Sequence, residues 1–205
     1  MVLAQRSLFG TNDAPRIDRR LTGLRRVELG DGAWIDHLPG WVEGHAVLFD
    51  ALRTAMQWRT AKRPMYDRIV DVPRMLASVP DDGVPPPVVD DIALALSAQY
   101  GLLFEFVHMA LYRDGQDSVA MHADHVLFDT IVPIVSVGTP RKFVLKPANG
   151  GPSRALTLGW GDLLVMGGTC QSTWMHGVPK TKRHADPRIS IMFRTQASRV
   201  GQRQD

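Results

Sequence analysis

The order of patterns along the chain predicts an α+β fold with a closed or double-sheet β core. Helix-periodic apolar segments come first, short strand-like runs follow from residue 102, and the chemically loaded residues fall among those strands. A length of 205 residues suits one domain, or one domain with a small extension.

Residues 1–30 are polar and rich in arginine, and read as a segment draped over the domain. A helix is predicted over 41–57, where Val42, Ala46, Phe49, Leu52 and Met56 recur at helical spacing. Residues 61–87 carry Pro64, Pro73, Pro80 and Pro85-Pro86-Pro87, and read as irregular. A second helix fits 88–100, with Val89, Ile92, Ala93 and Leu96 on one face and Gly101 as its stop. Strands follow at 102–112, 130–138 and 141–147, then a hairpin turn at Asn149-Gly150-Gly151. Further strands at 155–159 and 162–167 flank Trp160-Gly161, and the last runs over 188–196.

A hydrophobic share of 44% supports a sizeable core, and no apolar run is long enough to span a membrane. Met1 to Gly10 lacks the apolar stretch of a secretory signal. Cys170 is the sole cysteine, which rules out an intrachain disulfide and fits a reducing cytoplasm; its apolar, strand-like surroundings suggest buried packing. The net charge is +3, but basic residues cluster at Arg19, Arg20, Arg25 and Arg26, at Lys62, Arg63, Arg68 and Arg74, and at Lys180, Lys182 and Arg183. Such clusters fit a phosphate backbone, and equally an ordinary solvated surface.

The chemistry concentrates in His122, Asp124 and His176. If residues 121–124 are extended, His122 and Asp124 project to the same side, and a distant histidine can complete a set of two imidazoles and one carboxylate. That set holds non-haem iron on one side and leaves the other open. His176 precedes Gly177-Val178-Pro179, which reads as a strand end. The other histidines, His37, His45, His108, His125 and His184, read as surface or packed residues.

From Arg188 to Arg194 the alternation is strict. Ile189, Ile191 and Phe193 lie on one face, with Arg188, Ser190, Met192 and Arg194 on the other. The two arginine backbones would stand about 20 Å apart, and their side chains could reach inward around a small diacid. The alternative is a strand whose arginines are solvated on its outer face.

Six segments in order carry a resemblance to a known family: Leu111-Tyr112-Arg113-Asp114-Gly115, His122-Ala123-Asp124, Pro133 to Gly138, Gly161 to Gly168, Gln171 through His176 to Lys180, and Arg188 to Arg194. Over residues 100–196 the chain resembles the AlkB family of Fe(II)/2-oxoglutarate-dependent dioxygenases, with weaker likeness at Trp58 and Pro73-Arg74. The resemblance implies a double-stranded β-helix (jelly-roll) core with N-terminal helices packed outside. Residues 1–100 would form an extension with a nucleotide-recognition lid, and 101–205 the catalytic core. It implies Fe(II), 2-oxoglutarate and O2, with His122, Asp124 and His176 as iron ligands. Tyr112 and Arg188 would hold the co-substrate, with Arg194 near its other carboxylate end. Trp58, Met65, Tyr66 and Arg68 would meet the substrate, Trp58 and Tyr66 by stacking on a base; Trp58 also fits the core as the end of an amphipathic helix.

The implied activity is oxidative demethylation of alkylated bases in DNA or RNA, a repair reaction that releases formaldehyde. The base would be single-stranded or flipped. A cytoplasmic monomer with no membrane partner is the expectation. Two departures stand out: Ala110 replaces the asparagine usual two residues before the tyrosine, and Val126 and Leu127 replace acidic residues usual after His-x-Asp. A hydroxylase of the same chemistry acting on a protein, RNA or small molecule, a non-catalytic nucleic-acid-binding module, and a cupin-type metal enzyme, which would not need Arg188 and Arg194, are the alternatives.

Overall fold

A computed structural model describes residues 13–65, 68–124 and 131–196; for 62–65 and 68–71 only the backbone is described. The described chain is mostly antiparallel sheet. Its elements run β1 (Arg16–Ile17), β2 (Arg25–Gly30), β3 (Ala33–Leu38), β4 (Val42–Glu43), α1 (His45–Ala55), β5 (Arg59–Met65), β6 (Arg68–Val79) and α2 (Val88–Tyr100). The second half follows with β7 (Phe106–Tyr112), β8 (Val119–His122), β9 (Val132–Gly138), β10 (Arg141–Pro147), β11 (Arg154–Leu158), β12 (Asp162–Gly168), α3 (Cys170–Thr173), β13 (Trp174–Val178) and β14 (Arg188–Arg194).

Eight strands form a major sheet in the order β2-β3-β12-β9-β14-β7-β6-β5, four form a minor sheet in the order β11-β10-β13-β8, and β1 pairs with β4. The alternation of each major-sheet strand divides its side chains between two cores. From β14, Ile189, Ile191 and Phe193 face one side, where Val107, Met109 and Leu111 of β7 and Val135 and Val137 of β9 join them. Leu48 and Leu52 of α1 and Val89, Ile92 and Leu96 of α2 pack on this face. The opposite face of the major sheet meets the minor sheet: Ile134, Leu164 and Met166 pack with Phe143, Leu145 and Leu158. Each such side chain, fully buried, contributes about 1.5–3 kcal/mol. Arg188, Ser190 and Arg194 share this inner side, so the strand that anchors the fold also delivers charge to its interior.

Four expectations need correction. The arginine-rich segment of residues 1–30 is built into the fold from β1 onward rather than draped over it, because Arg26 pairs bidentately with the buried carboxylate of Asp36, at 2.7 and 2.8 Å, directly across the β2–β3 ladder. The proline-bearing segment expected to be irregular is largely the β5–β6 hairpin. The first helix begins only at His45, since Val42 pairs with Ile17 and Gly44 turns the chain in a left-handed conformation (φ 64°). Cys170 is buried as expected, but on the short helix α3 rather than a strand. The second helix occupies residues 88–100 as predicted, closing on Gly101. Among the described residues no helix is long and apolar enough to cross a membrane.

Candidate metal and co-substrate centre

His122 closes β8, and His176 sits directly opposite it on β13, in ladder register. His176 is thus in the body of a strand rather than at its end. Asp124 follows two residues after β8. The three donor atoms all lie within 4.8 Å of one another. The Nε2 atoms of His122 and His176 stand 3.5 and 3.9 Å from Asp124 Oδ1. Asp124 Oδ2 is occupied instead by Arg194 Nη2, which donates to it at 2.7 Å. Arg194 thereby leaves one carboxylate oxygen facing both imidazoles.

Both rings are held. His122 Nδ1 lies 2.8 Å from the Ala120 carbonyl, an arrangement that places its proton there and leaves Nε2 as the lone-pair donor. The His176 ring stacks on Phe143, with centroids 5.6 Å apart. Burial pushes the His176 imidazole down to about 4, so it is neutral and ready to ligate at neutral pH. For Asp124, burial favours the acid, but the Arg194 guanidinium and the two imidazoles outweigh it and hold the carboxyl well below its usual range. At His122 burial is likewise outweighed, here by Asp124 and the Ala120 carbonyl, which raise its pKa.

The arginines of β14 are not solvated. Arg188 is 1% exposed and Arg194 3%, which decides between the two readings of that strand. Arg188 pairs in register with Tyr112 and lies over its ring at 5.2 Å. Its Nη2 donates to Ser136 Oγ at 2.7 Å, while Nε and Nη1 are buried with no partner among the described residues. Unpartnered buried guanidinium donors cost free energy unless an anion meets them. Arg188, Tyr112, Ser190 and Ala110 line the same cavity as His122, Asp124 and His176. The donor set therefore suits a hard-to-borderline divalent iron, and the adjoining cation suits a carboxylate co-substrate.

Of the remaining candidates, only Trp58 has a described side chain. Trp58 is half-buried against the helix-side core, donates Nε1–H to the Arg53 carbonyl and is not part of the lining of this cavity. Met65 and Arg68 are register partners at the turn end of the β5–β6 hairpin, and their side chains are not described; Tyr66 lies outside the described residues, as do Val126 and Leu127. Further down that hairpin Arg74 lines the cavity. The sequence reading missed Ser136, Phe143, Arg141 and Gln171 as supports. Arg141 is buried beside the Tyr112 ring and donates to the carbonyls of Asp114, Asp117 and Pro179 at 2.8–3.0 Å. An inward-facing arginine at the start of an alternating strand was the available signal. A separate open groove of about 500 Å³ is lined in part by Lys142, Lys180, Arg183 and His184.

Residues 46–194 match the sequence profile of the 2OG-Fe(II) oxygenase superfamily. The chain belongs to that superfamily. It is 33% identical over 119 residues to the DNA oxidative demethylase ALKBH2 of Bos taurus, a match covering 53% of this chain and 43% of the relative. It is 31% identical over 121 residues to the alpha-ketoglutarate-dependent dioxygenase alkB homolog 3 of Homo sapiens, covering 53% and 42%. The chain thus spans less than half the length of these relatives. Among solved structures, OsALKBH1 superposes with a TM-score of 0.59 at 15% identity, over 84% of this chain and 100% of that one. An oxidoreductase of the 2OG-Fe(II) oxygenase family from Burkholderia pseudomallei does so with a TM-score of 0.56 at 16% identity, over 80% and 88%. These two likenesses concern the fold.

Proposed function

We propose that this protein is an Fe(II)- and 2-oxoglutarate-dependent dioxygenase that oxidatively demethylates alkylated bases in nucleic acid, with its two main sheets as the halves of a double-stranded β-helix. The observation that carries the reading is a buried guanidinium, Arg188, with two unpartnered donor atoms on the cavity that also holds His122, Asp124 and His176. In this reading His122 Nε2, His176 Nε2 and Asp124 Oδ1 hold the iron, and Arg188 with Tyr112 anchors the far carboxylate of 2-oxoglutarate. Arg194 neutralises the ligand carboxylate and fixes which oxygen it presents. With iron, 2-oxoglutarate and O2 in place, the chemistry supplied is oxidation of the N-methyl carbon, yielding formaldehyde, succinate, carbon dioxide and the unmethylated base. The protein's part is to bind, orient and exclude water around that centre.

A nucleic-acid substrate is supported by the curated relatives' names and by the basic groove. There Lys142, Lys180 and Arg183 have no carboxylate partner among the described residues. A methylated base would reach the cavity flipped or single-stranded. Trp58, Met65, Tyr66 and Arg68 are the proposed substrate contacts, and Met65 and Arg68 pair at the turn end of the β5–β6 hairpin. The test is formaldehyde release from N-methylated DNA and RNA oligonucleotides by the protein supplied with ferrous iron and 2-oxoglutarate. Release that disappears in His122→Ala is expected; succinate formation without formaldehyde from any methylated oligonucleotide would overturn the nucleic-acid reading and leave the iron chemistry standing.

A further inference from the structure

We infer that Gln171 is the positioning residue of the metal centre, acting on Asp124 through its backbone; this rests on the iron reading above. Asp124 lies two residues past β8, so its amide has left the β8–β13 ladder. Gln171 Oε1 accepts that amide's hydrogen at 2.9 Å, and Gln171 Nε2 donates to Met166 Sδ at 3.8 Å. The glutamine is itself anchored. It stands on α3 beside the buried Cys170, and the preceding Thr169 donates its hydroxyl to the Asp31 carbonyl at 2.6 Å and its amide to the Gly32 carbonyl at 3.3 Å. Five residues later the same segment delivers His176. One short stretch of chain therefore presents one ligand and grips the backbone of another.

The division of labour at Asp124 follows. Arg194 pulls Oδ2 into an ion pair, which by itself would let the residue swing toward the guanidinium. Gln171 fixes the Cα end, so the ion pair and the backbone bond together leave Oδ1 facing His122 and His176. Outer partners that orient a metal ligand typically change metal affinity by about 10–100-fold. The half-buried Gln171 packs little apolar area, so its removal should be felt at the metal more than in the fold.

The test compares the full-length wild type with Gln171→Leu, Gln171→Asn and Gln171→Glu, measuring Mn(II) affinity by calorimetry without co-substrate and the melting temperature of the metal-free protein. Leucine cannot accept the amide hydrogen, and asparagine is one methylene too short to reach it. Both are expected to weaken Mn(II) binding by about 10–100-fold, with metal-free melting temperatures within about 2 °C of wild type. Glutamate keeps an acceptor at the same reach and is expected to recover affinity to within about threefold. Leucine and asparagine variants that bind Mn(II) like a binding-competent wild type overturn the inference alone. So does a loss of affinity that follows a drop in metal-free stability and that glutamate does not rescue. A wild type with no affinity for Mn(II) overturns the iron reading, and this inference falls with it.

Discussion

Replacing Arg188 by methionine separates co-substrate binding from folding. The guanidinium has one donor satisfied, by Ser136 Oγ at 2.7 Å, and Nε and Nη1 sealed from solvent without acceptors. A carboxylate arriving there can take two charge-assisted hydrogen bonds, each worth about 1.5–3 kcal/mol. Losing the pair should cost about 3–4 kcal/mol, allowing for incomplete additivity, or roughly 100- to 1,000-fold in the dissociation constant of 2-oxoglutarate. Methionine fills similar volume without charge. Without co-substrate it removes a cation that burial already disfavours, so the melting temperature of the Arg188→Met protein should hold or rise. Arg188→Lys supplies a point charge without the fork and should fall between the two. The assay is anaerobic calorimetric titration of 2-oxoglutarate into Mn(II)-loaded protein, alongside melts with and without the diacid. 2-Oxoglutarate at about 100 times its wild-type dissociation constant should stabilise wild type by about 2.7 kcal/mol and Arg188→Met by no more than about 0.4 kcal/mol. A methionine variant that binds within about threefold of wild type would refute the assignment of the far carboxylate to Arg188.

Two further outcomes test the frame around the site. Gly138→Ala should destabilise by about 2–4 kcal/mol, because φ is +87° and a Cβ would sit 2.5 Å from the Pro187 carbonyl oxygen and 2.9 Å from Phe49 Cδ2; a chemical melt within 1 kcal/mol of wild type would contradict that packing. The His37 and His45 imidazoles are held below the ordinary value of 6.5 by burial, with Asp162 only partly offsetting it. The unfolded chain therefore takes up their protons first as pH falls, so the stability they contribute is complete above 6.5 and is lost progressively below it. The double variant His37→Gln, His45→Gln should lose less stability than wild type between pH 7 and pH 5 in denaturant titrations, and equal losses would count against their burial as neutral groups.

Much of this architecture was legible because strict alternation leaves little freedom. The period of two from Arg188 to Arg194 fixed both the strand and the shared face of its arginines, although only the packed structure shows that face turned inward. The β5–β6 hairpin was illegible because its prolines read as breakers. Pro64 is tolerated since β5 is the edge of the major sheet, and Pro73 falls inside the irregularity between the Lys62–Asp71 and Thr60–Met75 pairs. Asp31-Gly32 was an unused hairpin signal for β2–β3. The contacts of Gln171 and Arg141 join segments many residues apart, and no local period announces such a meeting.

The cross-strand seating of His122 against His176 carries a consequence for how the centre forms. Two of its three donors are neighbours by virtue of main-chain pairing, so their spacing is settled when the minor sheet zips up, before any ion arrives. A slip of one residue between those strands would send one imidazole to the opposite surface. Correct assembly of the sheet is therefore a precondition for capturing iron, and a misregistered chain would emerge folded in outline yet chemically blank.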